Sequence, residues 1–239
     1  MTSRHTLTVG EDRFRVGPWH ADGQIAYLAV PPEVPRPSVR GLQGCLVRIA
    51  EAGYSSVITS ALHPDEARSF LETGFEEYDR LRVLAHDLAD LDPPRPPLPG
   101  RVRLRRSRRR DRDTALVVDA RAFPTFWRLD RTALQEAERA TPVSRFRVAE
   151  SAGRVVGYAI TGRGAGQGFL QRLATDPDEA GRGVGSALVV DALRWSSRRR
   201  ARRVLVNTQY ENHRALDLYR RLGFEPTPTD LVVLRPPVP

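Results

Sequence analysis

Lysine is absent from this chain of 239 residues, and all 38 basic residues are arginine. Without lysine there is no Schiff-base amine, no lysine general base and no Walker A loop, whose phosphate contact needs that side chain. Cysteine is nearly absent too. Cys45 stands alone, so no intrachain disulfide can form, which fits a reducing cytoplasm. No apolar run approaches the roughly 18 residues that span a membrane. Residues 1–14 are polar and lack an apolar h-region, so no signal peptide is expected. The five histidines, His5, His20, His63, His86 and His213, show no metal-ligand spacing, and no His-Ser-Asp set stands out. No metal site is expected, and His63 and His213 read as helix-start or surface residues.

What is present belongs to a globular protein. The apolar fraction is 40% and the charged fraction 28%, and the length allows one large domain or two small ones. The net charge of +9 calls for an anionic partner. It is concentrated in two arginine clusters, Arg101 to Arg112 and Arg198 to Arg203. Cofactor phosphates and nucleic acid both qualify. Neither cluster carries the interleaved aromatics of a single-strand platform, so solvated faces are the first reading and nucleic acid is not an expected partner.

The clearest boundary is Leu91-Asp92-Pro93-Pro94-Arg95-Pro96-Pro97-Leu98-Pro99-Gly100. Its prolines forbid helix and leave few amide donors, which predicts an extended, semi-rigid linker over 91–100 between domains 1–90 and 101–239. The second part alternates strand and helix signals. Strands are predicted at 101–105, 145–150, 155–161, 169–175, 203–208 and 231–234, and helices at 110–122, 132–140, 184–197 and 212–222. Gly223 stands in the C-cap place of the last helix. The pattern is α/β with a mixed sheet.

Within it, Leu173-Ala174-Thr175-Asp176-Pro177 leads into Ala180-Gly181-Arg182-Gly183-Val184-Gly185-Ser186. A strand runs into a glycine-rich loop that opens a helix. Such a helix start has unpaired amides and a positive dipole end, and glycines admit a pyrophosphate closely. A plain strand-turn-helix connection reads the same way. A second motif adds weight: Asn212, Ala215, Tyr219, Gly223 and Phe224 follow in N-x-x-A-x-x-x-Y-x-x-x-G-F order.

With both motifs in sequence, residues 101–239 resemble the GNAT (Gcn5-related) N-acetyltransferases, whose cofactor loop runs [QR]-x-x-G-x-[GA]. The resemblance implies a GNAT fold, a mixed and mostly antiparallel sheet flanked by helices. It implies acetyl-CoA as acetyl donor, its pantetheine arm paired with Leu173, Ala174 and Thr175, where one amide polarises the thioester carbonyl. The pyrophosphate is expected on Gly181, Arg182, Gly183, Val184, Gly185 and Ser186. Asn212 is expected to bond the pantetheine, and the Tyr219 hydroxyl to protonate the leaving thiolate. A tyrosine pKa near ~10 against a thiol near ~8.5 keeps that acid protonated at neutral pH.

Two positions depart from the family pattern. Ala180 stands where Gln or Arg is usual, which removes one phosphate contact; Arg182 is the nearby substitute. Relatives that carry a base glutamate on the cofactor strand or the next one have Phe169, Gln171 or Asn207 as counterparts here, none a carboxylate. A water chain, Glu150 and Asp119 all stay open as the route for the amine proton.

Residues 25–90 resemble a truncated, degenerate copy of the same half-fold. Strands are expected at 25–30 and 54–60 and helices at 42–52 and 65–73. Setting Gly74-Phe75 on Gly223-Phe224 puts Phe70 opposite Tyr219, so the acid hydroxyl is lost. The loop glycines shrink to Gly41 and Gly44. This half is expected not to bind cofactor; closing the sheet, shaping the acceptor site and mediating a homodimer are its remaining roles. A coincidental βαβαβ unit is the plainer alternative.

The reading is a cytoplasmic tandem protein with one active domain, transferring acetyl from acetyl-CoA directly to an amine. The acceptor is a protein N-terminus or a small-molecule amine, the cysteinyl amine of mycothiol among them. Cys45 lies in the degenerate half, so no acyl-enzyme route is expected. Two rivals remain: a non-catalytic acyl-CoA sensor, favoured by Ala180 and the missing base, and a nucleic-acid-binding protein using the arginine clusters.

Overall fold

The computed structural model describes residues 4–20, 22–31, 33–89 and 102–237. The proline-rich segment 91–100, and Arg101, lie outside the described residues. In chain order the elements are β1 (His5–Val9), β2 (Asp12–Trp19), β3 (Asp22–Ala29), α1 (Val39–Glu51), β4 (Ser56–Thr59), α2 (Pro64–Glu72) and β5 (Glu76–Asp87). They continue with β6 (Val102–Arg106), α3 (Asp111–Ala122), α4 (Arg131–Arg139), β7 (Val143–Ser151), β8 (Arg154–Gly164) and β9 (Gln167–Thr175). The chain ends with α5 (Val184–Arg198), β10 (Arg203–Gln209), α6 (His213–Arg221), β11 (Glu225–Pro226) and β12 (Leu231–Arg235). Short 3-10 turns occupy Thr125–Trp127 and Pro177–Glu179. The sequence expectation missed β1, β2, β5 and β11; the charged residues alternating through β2 (Arg13, Arg15) and β5 (Glu76, Arg80, Arg82) read as polar chain until one face is covered.

Two compact units divide the chain: 1–83 with 207–211 and 227–239, and 84–206 with 212–226. The sequence reading kept 101–239 together, whereas here β12 and residues 207–211 group with the N-terminal unit. The reason is burial. Val232 and Leu234 pack in one core with Phe14, Leu28, Leu42 and Phe70. Leu62 and Val232 exchange backbone bonds of 2.8 and 2.9 Å.

In the N-terminal unit the sheet runs β1-β2-β3-β4. Its first two pairings are antiparallel and β3–β4 is parallel, with α1 as the crossover. β12 pairs antiparallel with the first part of β5.

The larger unit holds the spatial order β11-β5-β10-β9-β8-β7-β6. The β11–β5, β6–β7, β7–β8 and β8–β9 pairings are antiparallel, and β9–β10, which α5 bridges, is parallel. Strand β8 is buried from Val155 through Thr161, and its continuous apolar run follows from burial on both faces. Val156 and Ala159 join the core under α5 and α6, while Tyr158 and Ile160 join the core under α3 and α4. Gly157 lets α5 come down onto this strand. A Cβ there would stand 3.1 Å from both the Ala174 carbonyl oxygen and Val184 Cγ1.

Candidate functional site

Strand β9 is paired along its whole length with β8 but only at Gly168 and Phe169 with β10. From Leu170 to Thr175 its other edge has no strand partner among the described residues. That edge offers Leu173, Ala174 and Thr175 to a chain-like ligand.

The strand then enters a braced turn. Asp176, nearly buried, accepts from the Asp178 amide at 3.0 Å and from Arg121 Nη1 at 2.6 Å. Arg121 Nη2 reaches Asp178 at 2.9 Å. The turn is thus pinned to the end of α3 before the glycines begin. Gly181 and Gly183 hold φ of +72° and +80°, left-handed values that side chains rarely adopt. Gly183 caps α5 with no side-chain hydrogen bond, and the first helical bond is Ala187 N to Gly183 O at 2.9 Å. Among the described residues the amides of Val184, Gly185 and Ser186 therefore lack acceptors, and a helix start of this kind, with its dipole, suits an anion. Gly185 has a second use: a Cβ there would meet Leu218 Cδ2 at 3.3 Å, so its absence lets α6 pack against the loop. Arg182, offered as a substitute for the missing Ala180 contact, is exposed and tethered to Glu179 at 3.1 Å.

Helix α6 brings up Asn212 and Tyr219. Asn212 is the N-cap: its Oδ1 accepts from the Ala215 amide at 3.2 Å, leaving Nδ2 as donor. The helix closes on Gly223 at φ +84° with a Schellman pair, Phe224 N to Tyr219 O and Gly223 N to Arg220 O, both 3.0 Å. That closure sets Phe224 against Tyr219 with centroids 5.4 Å apart and the rings tilted by 54°. Tyr219 is 4% exposed, and its hydroxyl has no hydrogen-bond partner among the described residues. Burial pushes its pKa far up, opposed by the positive charge of Arg172. The phenol is protonated at any physiological pH.

Neither carboxylate considered for the amine proton is free. Asp119, fully buried, accepts from Tyr158 Oη at 2.5 Å, from Arg172 Nε and Nη2 at 2.8 Å, and from the Leu129 amide at 2.8 Å. Glu150 takes Arg105 at 2.6 Å and Arg103 at 2.7 Å, and those bonds hold its carboxyl below the usual range. Sequence patterns gave no signal of this, because each partner lies far away in the chain. The first arginine cluster is likewise part of the fold. Arg105 also pairs with Asp111 at 2.6 Å and Arg112 with Glu138 at 2.7 Å, which ties these side chains into the fold. Among the described residues no three His, Cys, Asp or Glu side chains are grouped to hold a metal, and no helix is long and apolar enough to cross a membrane.

The N-terminal unit closes its helix in the same way. In α2, Phe75 N bonds Phe70 O at 3.1 Å and Gly74 N bonds Leu71 O at 2.9 Å, with Gly74 at φ +93° and the Phe70 and Phe75 rings 5.3 Å apart. The start of α1 is already filled. Asp12 accepts from Ser38 Oγ at 2.6 Å and from the Ser38 amide at 3.2 Å, while Ser38 Oγ accepts from the Gly41 amide at 3.0 Å. Gly41 makes the room, since a Cβ there would overlap Asp12 Oδ2 at 1.9 Å. Strands β3 and β4 stay zipped from Ile25↔Ser56 to Leu28↔Thr59, and Ser60 N continues to Leu28 O at 2.9 Å. His63, as expected of a helix start, caps α2 in a capping box with Glu66.

Comparison with known proteins agrees with this geometry. Residues 113–224 match the acetyltransferase (GNAT) family. The mycothiol acetyltransferase of Saccharomonospora viridis is 34% identical over 71% of this chain and 60% of its own length. That of Actinosynnema mirum is 33% identical over 85% of this chain and 72% of its own. The chain spans about 60% of the length of the first of these curated relatives. Among solved structures, a GCN5-related N-acetyltransferase from Kribbella flavida superposes with a TM-score of 0.66 at 16% identity, over 98% of this chain and 90% of that one. A tandem GNAT protein from the clavulanic acid biosynthesis pathway gives 0.65 at 16% identity, over 93% and 78%. These likenesses show the fold over nearly the whole chain, and the sequence relatives show the family: the chain belongs to the GNAT acetyltransferases.

Proposed function

We propose that the larger unit binds acetyl-CoA and transfers its acetyl group directly to an amine. The observation that carries this is the free edge of β9 running into the uncapped start of α5, with the Tyr219 hydroxyl unpaired nearby on the same unit. Leu173 to Thr175 supply backbone partners for the pantetheine arm and one amide to polarise the thioester carbonyl. The amides from Gly181 to Ser186 hold the pyrophosphate, and Asn212 Nδ2 donates to the arm. As the amine nitrogen bonds the carbonyl carbon, the carbon–sulfur bond breaks and Tyr219 gives its proton to the sulfur. With Asp119 and Glu150 both committed, an ammonium group loses one proton to solvent before attack; the N–H proton freed as the amide forms also leaves to solvent, and the Tyr219 phenolate takes a proton back from solvent. The names of the relatives make the mycothiol acetyltransferase reaction the first acceptor to try, ahead of protein N-termini and other small amines. The lone thiol, Cys45, is buried with its pKa pushed up to about 12, which favours direct transfer over an acyl-enzyme route.

We read the N-terminal unit as a GNAT-like half that takes no cofactor. The repeated pairing order, the repeated Schellman closure at Gly74 and Gly223, and the Phe70–Tyr219 correspondence support the duplication. The Asp12 carboxylate at α1 and the zipped β3–β4 edge are the physical reasons that the half stays empty.

The test is calorimetric titration with acetyl-CoA. One equivalent for the wild type, retained by Tyr219→Phe and lost in a Gly183→Glu variant that still melts cooperatively, is the expected result. A wild type that binds neither acetyl-CoA nor CoA overturns the reading. The lack of a free carboxylate favours one second reading, a non-catalytic acyl-CoA sensor. Binding without turnover across a broad amine panel decides for it.

A further inference from the structure

The connection between α3 and α4, residues 123–130, carries three aromatic side chains in eight residues, Phe123, Phe126 and Trp127. It holds one 3-10 turn and is fastened at three points to a single buried pair. Arg172 Nη2 donates to the Trp127 carbonyl at 2.8 Å. The Leu129 amide donates to Asp119 Oδ1 at 2.8 Å. The Arg172 guanidinium carbon lies over the Phe123 ring, 3.5 Å from its centroid. The pair itself is bidentate at 2.8 Å, and Tyr158 fills the remaining valence of Asp119.

Arg172 lies on the free β9 edge, just before Leu173 to Thr175. It also sits beside a bulge: the register with β8 slips between Ile160 and Thr161, so that Gln171 is the extra residue. A bulge turns two neighbouring side chains toward one face. Arginine suits this place, because its planar fork makes two bonds to a carboxylate and stacks on a ring, which lysine cannot do.

We infer that the Asp119–Arg172 pair is a clamp that fixes the aromatic 123–130 connection beside the thioester-binding segment of β9, making Arg172 a positioning residue for that connection. This rests on the acetyl-transfer reading above. A buried pair of this kind adds little net stability over an apolar substitute, so its use lies in geometry. The same guanidinium opposes the rise of the Tyr219 pKa. One side chain thus bears on both the aromatic connection and the acid.

Hydrogen–deuterium exchange on the full chain, with acetyl-CoA alone as probe, tests the clamp. Peptides covering 123–130 are followed in the wild type, Arg172→Lys and Phe123→Leu, with calorimetry in parallel. Phe123→Leu removes the ring without stranding a buried charge, so it folds even if Arg172→Lys does not. Exchange over 123–130 should rise about tenfold in Arg172→Lys and less in Phe123→Leu. Acetyl-CoA should slow exchange there in the wild type and no longer do so in Arg172→Lys, which still binds it within about threefold of wild-type affinity. Wild-type exchange over 123–130 in both variants, or acetyl-CoA protection that persists in Arg172→Lys, overturns the clamp. If the wild type fails to bind acetyl-CoA, the transfer reading falls, while the ligand-free exchange still decides whether the clamp exists.

Discussion

Arg121 and Asp176 are joined at 2.6 Å across 55 residues of chain, and that bond stands at the entrance to the glycine loop. It ties the turn that positions Gly181 and Gly183 to a different helix. The loop is therefore set from outside itself.

Arg121→Ala should leave the nearly buried Asp176 carboxylate unpaired and let the turn drift. Acetyl-CoA affinity should fall roughly tenfold, as a small misplacement of a binding element does. Titration calorimetry beside a melting curve separates this from unfolding, since stranding a buried carboxylate also lowers stability.

Tyr219→Phe should keep the ring contact with Phe224 and change acetyl-CoA affinity little. It should lower kcat by about 10² to 10⁴, the range of a lost general acid. Steady-state kinetics with any accepted amine checks this.

The raised Tyr219 pKa also has a signature in stability. The folded state holds this proton more tightly than the unfolded chain, whose value is 10.0. The contribution is fully present below pH 10 and is lost as pH rises from there toward the folded value. Alkaline melting curves of the wild type should fall more steeply than those of Tyr219→Phe.

The Arg105 hydrogen bonds lower the Asp111 pKa from 3.8 to about 2. Its stability is present above pH 3.8 and is lost as pH falls through about 2, an amount of roughly 2 kcal/mol. Asp111→Asn should lower Tm at pH 7 and flatten the acid limb of the Tm profile.

Asp12→Ala should cost the N-terminal unit roughly 1 kcal/mol through loss of the Ser38 cap support. Acetyl-CoA stoichiometry should stay at one, since the zipped β3–β4 edge still excludes a pantetheine arm. A second equivalent in titration contradicts the empty-half reading.

Features set by neighbours in the chain were readable without coordinates. Gly183 and Gly223 take left-handed φ at helix ends where side chains are strained, and Asn212 caps the residues that follow it. Two short motifs in order thus pointed to the glycine loop before α5 and to Tyr219. Tertiary structure alone decided the rest. Which strand edge stays free depends on how far β10 runs beside β9, and no local pattern encodes that register. Whether Asp119 and Glu150 were available as bases depended on arginines 53 and 45 residues away. An ion pair is chosen by folded distance, not by spacing. The same holds for Asp12 against Ser38 and for β12, whose apolar residues are buried in the N-terminal unit because its core accepts them.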